Sequence, residues 1–143
     1  MIVRALYRLL LWIGFPLIFL YLLKRSRKQP EYRHHWRERL AFYPQRPQDS
    51  PRPVWLHAVS VGEMRAAAPL VKALRARDPA GRLLLTCMTP TGRATARELF
   101  GEDAEIVFLP YDYPGAVQRF LVHFRPRYGV LLETELWPNL IDQ

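Results

Sequence analysis

The fold of this chain is decided by residues 54–88, which read VWLHAVSVGEMRAAAPLVKALRARDPAGRLLLTCM. Val54 to Val59 is a short apolar run between a proline and a serine, which predicts a buried strand. Gly62 to Arg77 carries apolar residues at helical spacing, and Arg82 to Met88 (RLLLTCM) predicts a second strand. A strand, a helix and a strand in this order indicate a parallel β-α-β unit.

The same alternation continues toward the end of the chain. Further helices are predicted at 91–100, 114–124 and 135–140, and further strands at 104–109 and 128–132. Strands that alternate with helices of this length form a parallel sheet with right-handed crossovers. We therefore predict an α/β fold over residues 53–143, a Rossmann-like half-domain.

Two segments of different composition precede this domain. Gln45 to Pro53 (QRPQDSPRP) is rich in proline and poor in apolar residues, which is typical of a linker. Lys24 to Arg39 (KRSRKQPEYRHHWRER) carries seven Lys and Arg residues against Glu31 and Glu38. The predicted organisation is an anchor helix at 1–23, a basic juxtamembrane segment and linker at 24–52, and the α/β domain at 53–143.

The residues from Leu9 to Leu23 (LLLWIGFPLIFLYLL) carry no charge. As a helix they would span roughly 22 Å, less than the roughly 30 Å hydrocarbon core, although Arg8 and Lys24 can snorkel outward. No small-residue cleavage site follows, which argues against a signal peptide. A buried helix of a soluble protein is the alternative. We predict a membrane anchor that spans the bilayer or is half-inserted, with the following domain in the cytoplasm.

The overall charge and the single cysteine limit the possible partners. The formal net charge is +8 over 143 residues, and Cys87 has no second cysteine with which to form an internal disulfide. Basic residues beside an apolar segment favour an anionic membrane surface, at about 1 kcal/mol each. No nucleic-acid-binding motif accompanies them, so we expect no nucleic-acid partner. Neither a glycine-rich phosphate fingerprint nor metal-ligand spacing occurs, so we expect no cofactor and no metal.

Ligands of parallel sheets bind outside the carboxyl ends of the strands. Here these ends carry HAVSVGE (57–63), TCMTPTG (86–92), LPYD (109–112) and ETELWP (133–138). Ser60, Thr89 and Thr134 are also ordinary helix N-caps, and His57 is expected to be a packed strand residue. Capping by these residues does not account for the acids at the strand ends.

These motifs resemble one family. HAVSVGE at 57–63, TCMTPTGR at 86–93, LPYDYP at 109–114 and LLETELWPNL at 131–140 are similar to the 3-deoxy-D-manno-octulosonic acid (Kdo) transferases that act on the lipid A precursor. The basic EYRHHWRERL at 31–40, which follows an apolar N-terminus, is similar to the leader of that family. The resemblance covers essentially the whole chain.

The resemblance implies a fold, a reaction and a location. The fold is the N-terminal, acceptor-side domain of a GT-B glycosyltransferase, with the C-terminal donor domain absent from this chain. The reaction is an inverting, metal-independent transfer of Kdo from CMP-Kdo to the lipid A precursor, lipid IV-A, at the cytoplasmic face of the inner membrane. Because family enzymes are much longer, we expect this fragment alone to be inactive.

The resemblance also assigns roles to residues. It implies that Glu63 is the proton acceptor and that Glu133 stabilises the transition state. A carboxylate is suited to remove the proton of an attacking sugar hydroxyl. Glu135 is the alternative to Glu133, and either could simply cap the following helix. Further substrate contacts are expected at Ser60, Gly62, Thr89, Pro90, Thr91, Gly92 and Glu135.

The basic leader has its own expected role. Arg33, Arg37 and Arg39, at i, i+4 and i+6, could hold a phosphate of the acceptor or lipid headgroups. A solvated helix face is the plain alternative, with Glu38 forming local ion pairs. Two other functions also stay open, namely a membrane-tethered α/β binding module and a different GT-B or nucleotide-sugar enzyme.

Overall fold

The computed structural model describes residues 2–133 and 136–143, which form a parallel sheet with helices on both faces. The helices are α1 (Ile2–Ser26), α2 (Val61–Ala66), α3 (Ala68–Arg77), α4 (Pro90–Phe100), α5 (Pro114–Phe124) and α6 (Pro138–Ile141). The strands are β1 (Val54–His57), β2 (Leu83–Cys87), β3 (Ala104–Phe108) and β4 (Tyr128–Leu131). Two short 3₁₀ helices, Pro30–Arg33 and Glu38–Leu40, lie between α1 and β1.

The four strands are hydrogen-bonded in the order β3-β2-β1-β4, and every pair is parallel. The central strand β1 pairs Val54 with Leu83 of β2 on one side and with Tyr128 of β4 on the other. This order is the beginning of a doubly wound sheet. The predicted α/β fold with a parallel sheet is confirmed, and the carboxyl ends of the strands meet at one edge.

Prolines set the helix boundaries where the structure departs from the prediction. The helix predicted at 62–77 is two helices that meet at Ala67. Pro69 has no amide hydrogen to donate to the carbonyl of Arg65, so the helical ladder breaks there. The last helix begins at Pro138 rather than at 135, because a residue that precedes proline is pushed out of the helical conformation.

Alternate residues of the strands build a core on each face of the sheet. One core joins the sheet to α2, α3 and α4, and its large members are Leu56, Met64, Leu85 and Phe108. The other joins the sheet to α5, and its large members are Trp55, Leu84, Phe120 and Phe124. Each fully buried side chain of this size contributes about 1.5–3 kcal/mol to folding. These two cores hold the strand ends in place.

Part of the segment predicted as juxtamembrane and linker packs against the sheet. Tyr32 and Ala41 are buried, and the hydroxyl of Tyr43 donates to the carbonyl of Phe108 at 3.0 Å. The amide of Tyr111 donates to the carbonyl of Arg39 at 2.9 Å. The boundary at 53 stays a prediction, but residues 32–43 are already part of the folded unit.

The N-terminal apolar helix, α1, extends over Ile2–Ser26. Within the described residues, it is the one helix that is long and apolar enough to cross a membrane, by length and composition alone. Most of its apolar side chains are exposed, although Leu11, Phe15 and Ile18 pack partly against the core beside α5. The sequence prediction of an apolar N-terminal helix is therefore confirmed, and how it meets a membrane is a separate question.

Candidate active site

Glu63 lies in the first turn of α2, directly beyond the carboxyl end of β1. Its carboxylate accepts two hydrogen bonds, from the amide of Val59 and from the hydroxyl of Ser60, both at 2.7 Å. Ser60 in turn accepts from the amide of Glu63 at 3.3 Å and so caps α2, as predicted. A carboxylate has about four lone-pair positions. Two of them fix the orientation of Glu63, and the others are left for a ligand.

The loop after β2 lies against the loop that holds Glu63. Thr89 caps α4 by accepting from the amide of Gly92 at 3.0 Å, and its hydroxyl also donates to the carbonyl of Val59 at 3.4 Å. A Cβ atom on Gly92 would lie only 3.1 Å from that carbonyl, so glycine permits the close approach of the two loops. The structure therefore brings the SVGE and TPTG motifs together.

The other predicted residues of these two loops differ in how open they are. Pro90 is buried as the first residue of α4, whereas Thr91 and Gly62 are exposed. A Cβ atom on Gly62 would find its nearest neighbour, the hydroxyl oxygen of Ser60, at 3.9 Å. Gly62 thus leaves open space beside Glu63, and the hydroxyl of Thr91 donates to that of Thr89 at 3.4 Å.

Glu133 follows β4 at the same edge of the sheet. The preceding residue, Leu132, donates its amide to the carbonyl of His57 at 3.0 Å, which extends the pairing of β4 with β1. Glu133 is exposed and has a φ of 60°, a left-handed conformation that is uncommon for residues other than glycine. Thr134 and Glu135, which were predicted as a cap and as a substrate contact, lie outside the described residues.

His57 is a packed strand residue, as predicted. The indole of Trp55 donates to the hydroxyl of Thr86 at 2.8 Å, and that hydroxyl lies 2.8 Å from Nδ1 of His57. Nδ1 of His57 also lies 3.2 Å from the carbonyl oxygen of Thr86, so both oxygen atoms of Thr86 contact this nitrogen. Burial lowers the pKa of His57 to about 4, and Thr86 and the charge of Glu63 oppose this only in part. His57 is therefore neutral beneath the rim.

The acid at the end of β3, Asp112, has a structural role that the sequence pattern did not reveal. It is buried and accepts from the amides of Asn139 at 2.8 Å and Leu140 at 2.9 Å, so it caps α6 from a distant loop. It also accepts from the hydroxyl of Tyr7 in α1 at 2.9 Å. Asp112, one of the strand-end acids, is thus explained by capping, and the cap comes from outside the sequence of α6 itself.

The three arginines of the leader do not share a face, which corrects the helical spacing assumed for them. Residues 34–37 form turns between two 3₁₀ helices, so i and i+4 positions do not align. Arg33 and Arg37 are exposed and border one cavity together with Trp36. Arg39 is 3% exposed, donates to the carbonyl of Met88 at 3.2 Å, and lies over the ring of Phe108. It is a buried packing residue at the strand ends.

Glu38 pairs with a residue that is distant along the chain as well as with a local one. Its carboxylate binds Arg93 of α4 through two bonds of 2.6 and 3.1 Å and accepts from the amide of Phe108 at 2.9 Å. Nδ1 of His35, three residues earlier in the sequence, lies 2.8 Å from the same carboxylate and is its one local side-chain partner among the described residues. Burial acts to raise the pKa of Glu38, but the bonds from Arg93 and Phe108 outweigh it, so the pKa lies below its usual value. Arg93 carries no local signal in the sequence, so its pairing with Glu38 was not predicted.

Comparison with known proteins agrees with this architecture. The family model described as 3-deoxy-D-manno-octulosonic-acid transferase (kdotransferase) matches residues 34–143. The chain is 39% identical over 140 residues to a 3-deoxy-D-manno-octulosonic acid transferase of Haemophilus influenzae, covering 98% of the chain and 33% of that protein. It is 42% identical over 151 residues to the Bordetella pertussis transferase of the same name, covering 96% of the chain and 33% of that protein.

A more distant relative shows the same extent of coverage. A probable mitochondrial 3-deoxy-D-manno-octulosonic acid transferase of Arabidopsis thaliana is 33% identical over 139 residues, which is 97% of the chain and 31% of that protein. The chain thus spans about a third of the length of the curated relatives it matches. Because the family model covers most of the chain and the similarity to these relatives is close, the chain belongs to the 3-deoxy-D-manno-octulosonic acid (Kdo) transferase family of glycosyltransferases.

Proposed function

We propose that the full-length protein transfers Kdo from CMP-Kdo to the lipid A precursor, lipid IV-A, at the cytoplasmic face of the inner membrane. In this proposal residues 53–143 form the acceptor-side domain of a GT-B enzyme, and a C-terminal domain that this chain does not contain binds the donor. The observation that carries the proposal is the carboxylate of Glu63, which two hydrogen bonds hold at the ligand-binding edge of the sheet.

The proposed reaction is a single displacement at the anomeric carbon of Kdo. A hydroxyl oxygen of the acceptor attacks the anomeric carbon and forms a bond to it. At the same time the bond between the anomeric carbon and the phosphate oxygen of CMP breaks. The proton of the hydroxyl passes to the carboxylate of Glu63, and CMP leaves with the bonding electrons. Attack from the face opposite to CMP inverts the configuration. A general base of this kind contributes about 10²–10⁴-fold to the rate.

Glu133 is proposed to stabilise the transition state. As the bond to CMP breaks, positive charge develops on the sugar ring, and a carboxylate nearby lowers its energy in a site from which water is excluded. Glu133 follows the residue that binds the carbonyl of His57, so its backbone lies beside the end of β1 from which the Glu63 loop departs. Its exposure leaves the carboxylate available to a substrate.

The proposed acceptor contacts fall into two groups. Ser60, Gly62, Thr89, Pro90, Thr91 and Gly92 are proposed to contact the acceptor beside Glu63, and Glu135 is kept as a proposal. Arg33 and Arg37 are proposed to bind a phosphate of the acceptor or of a neighbouring lipid, because both are exposed at one cavity. Arg39 is kept in this group as a proposal: its guanidinium is buried against Phe108, and its Nε and Nη2 have no hydrogen-bond partner among the described residues.

The test is a transfer assay with the full-length protein, CMP-Kdo and the lipid A precursor in membranes. Glu63→Gln is expected to lower turnover by about 10²–10⁴-fold, whereas the control Glu98→Gln, on the exposed side of α4, leaves it unchanged. Both variants should still bind the acceptor lipid. Normal turnover in Glu63→Gln would exclude Glu63 as the base.

The same assay separates the Kdo reaction from the alternatives. Inhibition of transfer by an excess of CMP, but not by UDP, supports a CMP-linked donor. A full-length protein that binds the lipid and transfers nothing would instead indicate a membrane-tethered binding module.

A further inference from the structure

The helix α1 has two faces of different kind. Large apolar side chains that are roughly half exposed or more recur three or four residues apart along one face, namely Leu6, Leu9, Leu10, Ile13, Leu17 and Leu20. Lys24 follows on the same face and is also exposed. A continuous apolar stripe that ends in a cation is typical of a helix that lies against a lipid surface.

The opposite face is attached to the α/β domain near the start of the helix. The hydroxyl of Tyr7 donates to the buried Asp112 at 2.9 Å, and Nε of Arg8 donates to the side-chain oxygen of Asn139 at 3.0 Å. One turn later the hydroxyl of Tyr113 donates to the carbonyl of Leu11 at 2.7 Å. Three separate polar contacts therefore hold this end of α1 to the loop after β3 and to α6.

The attachment continues to the other end of the helix. Phe15 packs edge-on against Tyr113 with ring centroids 5.6 Å apart, and Phe19 meets Trp36 of the basic leader at 5.1 Å. Leu22 is 2% exposed. The contacts with the rest of the protein thus run from Tyr7 to Leu22, which is about 22 Å along the helix axis.

These contacts are incompatible with a helix that crosses the bilayer. A spanning helix would carry its first turns across a hydrocarbon core about 30 Å thick, away from a domain that stays on one side. The buried carboxylate of Asp112 and the amide of Asn139 would then lose the partners that α1 supplies. Hydrogen bonds at one end and packing at the other require the whole length of α1 to stay on the same side as the domain.

We propose that α1 lies in the plane of the membrane surface, with its free face in the boundary between headgroups and acyl chains and its other face on the α/β domain. The partner is an anionic lipid surface, since Lys24, Arg25 and Lys28 are exposed at the end of the apolar stripe. Asp112 joins α1 to α6, which follows the segment that carries Glu133. The lipid surface is therefore held next to the edge of the sheet where the strands end.

The experiment measures the depth of three positions on the free face. Leu6→Cys, Ile13→Cys and Leu20→Cys are introduced one at a time into the full-length protein, with Asp49→Cys, in the exposed turn beside Arg125, as the control. Each is labelled with a nitroxide and bound to vesicles of phosphatidylethanolamine and phosphatidylglycerol. Cys87 is buried, and burial raises the pKa of its thiol to about 12, so it reacts little.

The in-plane helix predicts similar, shallow depths at all three positions and no lipid contact at Asp49. A spanning helix predicts depths that differ by about 10 Å between successive positions, because each pair is seven residues apart. That result, with a position near the bilayer centre, would overturn the proposal. The absence of lipid contact at all three positions would overturn it as well.

Discussion

Removal of the Arg93 side chain tests how the basic leader is fastened to the sheet. Arg93 and Glu38 form a bidentate ion pair at 2.6 and 3.1 Å, with side chains only 8% and 14% exposed. Loss of one partner of a buried pair leaves the other charge without compensation and costs about 3–5 kcal/mol. We therefore expect Arg93→Met to lower the free energy of unfolding by that amount, against a total of about 5–15 kcal/mol for a domain.

The assay is urea unfolding of the purified protein in detergent, followed by circular dichroism. With a slope of about 1.5 kcal/mol per molar urea, the midpoint should fall by roughly 2–3 M. Arg97→Met is the matched control, because Arg97 is exposed one turn further along α4 and should change stability by less than about 0.5 kcal/mol. Equal effects of the two substitutions would refute the argument.

The pH dependence provides a second check on the same pair. The pKa of Glu38 is lower in the folded state than the usual value of about 4.3. The ionised carboxylate therefore adds to the free energy of unfolding above that pH, and this contribution is lost as the pH falls through the folded-state pKa. The difference in stability between the wild type and Arg93→Met should therefore be largest near neutral pH and shrink below about pH 4. A difference that grows toward acid would contradict the assignment.

Two further predictions concern the rim of the sheet. Gly92→Ala would place a Cβ atom 2.9 Å from the hydroxyl of Thr89 and 3.1 Å from the carbonyl of Val59. The two loops must then move apart by a few tenths of an ångström, which should lower turnover of the full-length enzyme by less than the roughly 100-fold cost of a 1 Å misplacement, whereas Gly62→Ala, with open space, should have a much smaller effect in the same assay. For His57, the folded-state pKa of about 4 lies below the unfolded value of 6.5, so stability should fall by roughly 3 kcal/mol as the pH falls from 6.5 to 4. The free energy of unfolding of His57→Gln, measured at several pH values, should not show this part of the decline. A pH profile identical to that of the wild type would contradict a buried neutral histidine.

Much of the fold could be predicted because its signals are local. The apolar runs of β1 and β2 are bounded by polar or turn residues, and the spacing of apolar residues in 114–124 predicts α5 with the observed bounds. The capping roles of Ser60 and Thr89 follow from their positions before helices. Each of these features depends on residues within a few positions of one another, so the sequence alone contains the necessary information.

The leader shows where local reasoning failed. The spacing of Arg33, Arg37 and Arg39 predicted a shared helical face, but Arg39 turns inward onto Phe108 and Met88. Glu38 binds Arg93, 55 residues away in the sequence, in addition to its neighbour His35. No local pattern distinguishes a buried arginine from a solvated one when both lie in a basic stretch.

The order of strands and helices, the parallel sheet, and the edge at which Glu63 and Glu133 were expected all follow from patterns of neighbouring residues. The burial of particular charges, the capping of α6 by Asp112 and the position of α1 along the domain become visible only in the folded chain. Helical spacing and strand alternation are set by residues close together in the sequence. The partner of a buried charge is selected by the desolvation cost of leaving it unpaired, and that cost depends on which distant segments the folded sheet brings together.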